Sequence, residues 1–222
     1  MIAISTQAPS RDRASSVDTR FSHRMVRGAA AVGVALVGGV FAGGLTSYAQ
    51  TFLPEHVNSF ANSSGGWSMI AFLLVWIGRA RPALAALVGV VAFEALVEGY
   101  SLVSQSRGYF YDDPFSNVFT LIGLVCGPVL GIAASLTRHG TPSWAVLGVT
   151  PLVAVLWGEG LFGLMRVAET TSAVYWILEL VLGTLFLGLA IARRRPPLRF
   201  AVLAAILSGG GAGVFLVAYA SL

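Results

Sequence analysis

Long apolar stretches alternate with short polar segments along most of the chain. The apolar segments lie at about 28–48, 67–78, 83–103, 115–137, 143–165, 172–192 and 199–220. Most of them are near the roughly 20 residues that an α-helix needs to cross a bilayer. We therefore predict an all-α, polytopic membrane helix bundle with about seven transmembrane helices. The second segment is the shortest, and we expect it to be a shortened or re-entrant one.

The composition agrees with a membrane protein. Of the 222 residues, 56% are hydrophobic and only 11% are charged, whereas soluble domains have roughly 25% charged residues. The chain has no lysine, a bias typical of GC-rich bacterial genomes. We therefore expect a multi-pass protein of a bacterial cell membrane. The net charge of +4 is explained by membrane orientation and by anionic lipid, so nucleic acid is not an expected partner.

The arginines predict the orientation of the bundle. Cytoplasmic loops of membrane proteins carry most of the positive charge. With the N-terminus inside and the C-terminus outside, twelve of the fourteen arginines are cytoplasmic, and only Arg107 and Arg166 lie on the other side. Residues 1–27 are rich in Ser and Arg and lack an apolar core, so we predict a disordered, basic cytoplasmic tail. Residues 28–222 then form a single transmembrane domain.

The segment LWGEGLFG, residues 156–163, has the glycine spacing of a dinucleotide-binding fingerprint. That fingerprint works only where a strand ends and a helix begins, because the phosphates lie on the helix N-terminus. Here the segment lies inside an apolar helix, so we expect no nucleotide at Gly158 to Gly163. The notable residue is Glu159, a carboxyl group at membrane depth. Its neighbours Gly158 and Gly160 are expected to clear space around it.

Four glutamates lie inside the apolar segments. They are Glu94 and Glu98 on the third, Glu159 on the fifth and Glu179 on the sixth. At about 1.5 Å per residue, all four fall in the outer half of the bilayer. Ionisable residues at such depth are costly and usually face the bundle interior. We predict that these four carboxyl groups cluster in one outward-opening pocket, where they are the candidate catalytic residues.

Aromatic residues are expected to line the same pocket. We predict that the substrate-binding side chains are Trp157, Tyr100, Tyr175, Trp176 and Phe162. Their rings can stabilise a cation or carbocation character by cation–π attraction. Each of them also has an alternative interpretation, since Tyr and Trp near a membrane boundary commonly belong to the interfacial aromatic belt.

The chemistry available is that of carboxyl groups. Glu94 and Glu98, one helical turn apart, are expected to share a proton. A neutral carboxyl can act as an acid, and an ionised one can hold a cation. The three histidines show no metal-ligand spacing and Cys126 is the only cysteine, so we expect no metal and no cofactor. The expected partners are an apolar or cationic small molecule and membrane lipid.

Three segments carry a family resemblance: ANSSGGW (61–67), CGPVLGIAAS (126–135) and WGEGLFGL (157–164). Together they resemble a family of small actinobacterial multi-spanning membrane proteins without an assigned function. The size and helix number also look like those of integral-membrane terpene cyclases. That second resemblance is architectural only, and it implies acid-catalysed chemistry on an isoprenoid.

Three functional hypotheses follow from these patterns. The first is a membrane enzyme resembling a terpene cyclase, in which Glu159 or Glu94 protonates the substrate. The second is a substrate-binding or transport subunit with an outward site for a small cationic solute. The third is a non-catalytic scaffold in which the buried acids only hold helices together by hydrogen bonds.

Overall fold

The computed structural model describes residues 11–109 and 113–220, with side chains from residue 25 onward. Every regular element in these ranges is helical, which confirms the predicted all-α class. The elements are α1 (Arg11–Phe52), a 3₁₀ helix (Glu55–Asn62), α2 (Ser64–Gly78), α3 (Pro82–Ser106), α4 (Val118–His139), α5 (Pro142–Leu147), α6 (Thr150–Arg166), α7 (Ala168–Thr171), α8 (Ala173–Arg194) and α9 (Leu198–Tyr219).

Six helical segments in the described residues are long and apolar enough to cross a membrane, with α5 and α6 together forming one of them. The count becomes seven if the 3₁₀ helix and α2, which meet at a bend of 58°, form a single broken span. The short second segment of the sequence therefore belongs to an interrupted helix pair, which fits either a broken span or a re-entrant loop. The break is at Ser63, which has an extended backbone conformation between the two helices.

The predicted tail differs from the structure in one respect. Helix α1 begins at Arg11, so residues 11–27 are helical where the sequence predicts disorder. This extension has a simple physical reason: adding residues to an existing helix costs far less than nucleating one. Residues 1–10 lie outside the described residues.

Glycines set the close packing of the first four helices. Gly39 and Gly43 of α1 lie against α3 so closely that an added Cβ atom would overlap Ala95 or Leu96. Gly127 of α4 approaches the backbone of Gly89 in α3 in the same way. Glycines spaced four residues apart, Gly39 and Gly43 on α1 and Gly123, Gly127 and Gly131 on α4, are therefore packing surfaces, and we refer to them as the small-residue steps.

The hydrophobic core has two parts. The larger part joins α1 to α4 and includes Leu152 and Leu156 of α6. The smaller part joins α5, α6, α8 and α9 through Val149, Val153 and Leu187. The molecule therefore consists of an N-terminal and a C-terminal helix group, and α2 and α6 meet at their boundary.

Contacts between arginines and backbone carbonyls identify the two ends of the bundle. At one end, Arg138 donates to Trp76 O (3.2 Å) and Arg194 donates to Thr137 O (2.6 Å). At the other end, Arg107 donates to Ser47 O near the C-terminus of α1. Arg138 and Arg194 thus share one end and Arg107 lies at the opposite one, as the alternating arrangement of helices predicts.

Candidate functional site

The site is built around the interrupted helix pair, where α2 begins inside the bundle. The first N–H groups of any helix have no partner within that helix, and in a buried position each of them needs one. Ser63 precedes α2 as its N-cap, and its Oγ accepts from Gly66 N at 2.8 Å. The N–H groups of Ser64 and Gly65 remain to be satisfied.

Glu159 of α6 supplies those two acceptors. Its Oε1 accepts from Ser64 N at 2.8 Å and its Oε2 accepts from Gly65 N at 2.5 Å. The side chain is only 2% exposed. A carboxylate at a helix N-terminus is also favoured by the helix dipole. Glu159 therefore caps a helix of a different span.

Glu179 of α8 extends this network. Tyr175 donates its hydroxyl proton to Glu179 Oε1 at 2.7 Å, and its own oxygen contacts the Ser63 hydroxyl. Because the Ser63 oxygen already accepts from Gly66 N and Tyr175 donates to Glu179, the Ser63 hydroxyl donates to Tyr175. A continuous chain of hydrogen bonds thus runs from the N-terminus of α2 to Glu179.

The two carboxyl groups are neighbours. Both lie against Gly65, where an added Cβ atom would overlap Glu179 Oε1 and would lie 3.0 Å from Glu159 Oε2. Two carboxylates this close repel each other, so ionising both of them is costly. We refer to Glu159 and Glu179 as the carboxyl pair, and we expect the pair to share one proton.

One face of the pair opens into a polar cavity of about 670 Å³ at the end of the bundle that contains Arg107. Among the residues that the structure describes, its wall contains two acids, three amides, three hydroxyl side chains, three aromatic rings and two aliphatic residues, and no Lys, Arg or His. The lining residues are Glu55, Glu159, Gln50, Asn58, Asn62, Ser59, Thr170, Thr171, Phe162, Trp176, Tyr219, Leu53 and Val167. The cavity is thus complementary to a small cation.

A second, apolar cavity of about 400 Å³ lies between the two helix groups. Its walls come from the start of α2 and from α4, α6 and α9, and Phe93 of α3 also lines it. Cys126 lies in this wall. Asn62 and Tyr219 line both cavities, so the polar and apolar cavities are neighbours.

Three of the five predicted aromatic residues lie at the carboxyl pair or its cavity. Tyr175 donates to Glu179, as described above, and its ring packs edge-on against Trp176 with centroids 4.9 Å apart. Phe162 packs edge-on against Tyr219 at 4.9 Å. The packing of α6, α8 and α9 brings these three rings to the carboxyl pair or its cavity.

The other two predicted aromatics lie elsewhere. Trp157 donates to Thr184 Oγ1 at 3.2 Å on α8, because two residues along a helix turn a side chain by about 200°, away from the face of Glu159. Tyr100 packs against Trp67 with centroids 5.4 Å apart, and it donates to Gln50 at 3.1 Å. Neither ring lines the polar cavity, so the prediction of a single aromatic pocket is wrong for these two residues.

Glu94 and Glu98 also lie apart from the carboxyl pair. Glu94 faces Thr120 and Gly123 of α4, whereas Glu98 accepts from the backbone N–H of Phe115 at 3.0 Å. Neither lines the polar or the apolar cavity. The prediction that all four acids meet in one pocket is therefore wrong, because α3 turns its acidic face toward α4 and the loop that precedes α4.

The glycines around Glu159 serve helix packing. An added Cβ atom on Gly158 would overlap Phe215 of α9, and one on Gly163 would overlap Trp176 of α8. An added Cβ atom on Gly160 would lie 3.0 Å from Leu180 of α8. The expectation that Gly158 and Gly160 clear space around the carboxyl is corrected: they bring α8 and α9 close to α6.

The sequence analysis missed the residues that hold the acids. Ser63, Ser64 and Gly65 form the helix start, and Tyr219 lies between the cavities. A signal was present in ANSSGGW, where a serine followed by small residues precedes a short apolar run, as at the N-terminus of a helix. The sequence does not reveal that this N-terminus is buried against Glu159.

No three His, Cys, Asp or Glu side chains within residues 11–109 and 113–220 lie close enough to hold a metal ion. The absence of a metal or cofactor remains a prediction. The polar side chains that do converge on the cavity are suited to binding an organic ion or a hydrogen-bonding solute through oxygen atoms and aromatic faces.

Comparison with known proteins identifies the family. The model of a family of unknown function, DUF6518, matches residues 23–222, so the chain belongs to this family. No curated protein and no solved structure matches the chain. The resemblance to a multi-spanning family without an assigned function agrees with this result, while the likeness to terpene cyclases has no counterpart in it.

Proposed function

We propose that this member of the DUF6518 family binds a small organic cation in its polar cavity, as a substrate-binding or transport component of the membrane. The observation that carries the proposal is the position of Glu159, which lines the polar cavity and belongs to the carboxyl pair. If the pair shares one proton, it keeps one negative charge. Glu55 adds a second acid to the same wall. Among the described residues, no basic side chain lines the cavity to neutralise these acids.

Aromatic faces strengthen this interpretation. Phe162, Trp176 and Tyr219 all contribute to the cavity wall. An ammonium group over such rings gains about 0.5–2 kcal/mol by cation–π attraction, with the larger values in desolvated sites. The acids and the rings together favour a cation over a neutral solute of the same shape.

The interrupted helix pair is a further supporting feature. Membrane transporters commonly bind their substrates beside discontinuous helices, whose free backbone ends are exposed to the site. Here the break lies at Ser63 and the carboxyl pair is bonded to the new N-terminus. A charge entering the cavity would act directly on the contacts that hold α2 in place.

Acid-catalysed cyclisation is less well supported. It requires an acid in contact with the hydrocarbon substrate, and none of the glutamates in the described residues lines the apolar cavity. Ser63 does line that cavity and connects through Tyr175 to Glu179. A serine hydroxyl is too weak an acid to protonate an alkene by itself. This second candidate therefore rests on an indirect connection.

The arginine distribution supports an orientation in which the polar cavity faces outward. We propose a cytoplasmic N-terminus and an external C-terminus, since Arg107 and Arg166 would be the only external arginines. Reporter fusions at residues 140 and 222 test this. We expect a cytoplasmic signal at 140 and an external one at 222; a cytoplasmic signal at 222 would contradict seven spans.

Binding is tested with the purified protein in lipid nanodiscs. Tetramethylammonium and choline are titrated while tryptophan fluorescence is recorded, together with the neutral isostere in which carbon replaces the choline nitrogen. We expect saturable binding of both cations and at least tenfold weaker binding of the isostere. Equal binding of choline and its neutral isostere would argue against the proposal.

A matched pair of variants assigns the binding to the polar cavity. Trp176→Leu removes a ring from the cavity wall, and we expect it to weaken choline binding by about 3- to 30-fold, as expected from the loss of a cation–π contact. Trp157→Leu removes a ring that lines a different groove, and it should leave choline affinity unchanged. Calorimetry measures both variants, since each of them loses one fluorophore. Equal effects of the two substitutions would place the cation elsewhere.

A further inference from the structure

We infer that the ligand is a single-chain amphiphile, with a cationic head in the polar cavity and a hydrocarbon chain in the apolar cavity. This inference rests on the proposed binding of a cation and names the class of molecule that carries it. The observation behind it is that Asn62 and Tyr219 line both cavities. Their side chains therefore lie at the boundary between an acidic compartment and an apolar one, beside the start of α2.

Tyr219 is the main partition between the compartments. Its ring stacks on Phe215 with centroids 5.0 Å apart and 16° between planes, and it meets Phe162 edge-on. Ser64 lines the apolar cavity together with Tyr219, and its backbone N–H donates to Glu159. The partition is thus connected to the proposed cation site. A molecule that binds Glu159 lies directly beside the passage to the apolar cavity.

The apolar cavity has the chemistry of a chain-binding site. Its α4 wall consists of Phe119, Ile122, Val125, Cys126 and Val129. Val125 and Val129 are 71% and 51% exposed, so this wall lies at the lipid-facing surface of the bundle. A chain could enter from the bilayer between α4 and α9 while its head passes to the acidic side.

The sizes of the two compartments suit such a molecule. Ligand cavities in proteins commonly have volumes of about 300–1,000 Å³, and the polar and apolar cavities, at about 670 and 400 Å³, both fall in this range. A head group alone would leave the apolar cavity empty. A simple hydrocarbon would leave the acidic cavity without a counter-charge. An amphiphile fills the apolar cavity with its chain and places a counter-charge in the acidic cavity.

The test uses alkyltrimethylammonium ions whose single long chain grows from methyl to hexyl. The protein in nanodiscs is titrated with each ion. Because each methylene moved from water into an apolar site adds to the binding free energy, we expect affinity to rise by about two- to fourfold per methylene. The expected gain between tetramethylammonium and hexyltrimethylammonium is therefore at least thirtyfold.

Two valine substitutions distinguish binding of the alkyl chain in the apolar cavity from its insertion into the surrounding lipid. Val155→Phe fills the apolar cavity, whose wall includes Val155. We expect it to keep the affinity for tetramethylammonium and to abolish most of the chain-length dependence. Val181→Phe makes the same change on α8 at a position that lines neither cavity and is 45% exposed. This control should behave like the wild type.

The single cysteine provides a second readout, in case Val155→Phe folds poorly. Cys126 is half-buried in the wall of the apolar cavity. We expect saturating hexyltrimethylammonium to slow its modification by N-ethylmaleimide at least fivefold. Saturating tetramethylammonium, which should occupy only the polar cavity, is expected to leave the rate unchanged within twofold.

The outcomes distinguish this inference from the proposed function. If tetramethylammonium binds and a longer chain adds no affinity, or adds as much in Val155→Phe as in the wild type, the two-cavity ligand is wrong and the cation site stands. If bound hexyltrimethylammonium does not slow the modification of Cys126 by N-ethylmaleimide, the same conclusion follows. If none of the cations binds, the proposed function is wrong and the inference is overturned with it.

Discussion

The two pairs of acids in this protein both lie in apolar segments and have very different structures. Glu94 and Glu98 lie one turn apart on α3, yet they face different groups, with Glu94 toward α4 and Glu98 bonded to the loop at Phe115. Glu159 and Glu179 come from different helices and lie side by side against Gly65. Closeness along a helix therefore does not make a carboxyl pair. The buried N-terminus of α2 brings Glu159 and Glu179 together.

The largest expected effect is the loss of the cap on α2. Glu159→Ala leaves the N–H groups of Ser64 and Gly65 without their acceptor. Since each buried, unsatisfied donor costs about 1–3 kcal/mol, we expect a loss of about 3 kcal/mol in the free energy of unfolding. Thermal denaturation in detergent, followed by size-exclusion chromatography, measures the change.

Glu98→Ala is the matched control for this comparison. Glu98 is only half-buried and accepts one loop N–H, so its removal should cost under about 1 kcal/mol. Equal destabilisation by Glu159→Ala and Glu98→Ala would contradict the difference between the two pairs.

The shared proton is tested next, through Glu179. Glu179→Gln keeps a donor toward Glu159 and an acceptor for Tyr175, so we expect a stability within about 1 kcal/mol of the wild type. Glu179→Leu removes both bonds and should cost about 1–3 kcal/mol. Infrared spectroscopy of the wild type should show the carbonyl band of protonated carboxyl groups, and this band should lose intensity in Glu179→Gln. A band of unchanged intensity in that variant would assign the proton to another group.

A smaller effect is expected from the hydroxyl chain between the carboxyl pair and the start of α2. Tyr175→Phe removes one hydroxyl that bonds both Ser63 and Glu179, and we expect a loss of about 1 kcal/mol. Ser63→Ala removes the N-cap and should cost about 0.5–2 kcal/mol. In a double-mutant cycle, the two losses should sum to more than the loss in the double variant, because both residues belong to one network. Full additivity would show that they act independently.

The smallest effect concerns the loop that Glu98 holds. Glu98→Gln weakens the acceptor for Phe115 N, where the backbone has a positive φ of 60°. Global stability should remain within about 0.5 kcal/mol of the wild type. Limited proteolysis near residues 113–117 should become faster, while Glu94→Gln, which does not contact Phe115 N, should leave this rate unchanged. A slower or equal rate in Glu98→Gln would show that Glu98 does not order the loop.

The sequence by itself determined the class of fold. Long apolar segments have one stable arrangement in a bilayer, because only a helix satisfies every backbone group within a single segment. The segment before Arg79 was expected to be irregular because it is short, and the structure has a bent helix pair there. The small-residue steps on α1 and α4 were also readable, since a missing side chain allows two helices to approach whatever their partner.

Only the tertiary structure decided which acids meet and what they bond. Rotation about each helix axis and the choice of neighbouring helix depend on contacts between residues far apart in the chain, such as Glu159 with Gly65 and Ser63 with Tyr175. Helical periodicity could show that Trp157 and Glu159 lie on different faces, but it could not show which face meets α2. The two adjacent cavities likewise arise where the N-terminal and C-terminal helix groups pack imperfectly. A cavity is a property of that packing, because its walls come from several helices, and the sequence of one helix does not show which other helices pack against it.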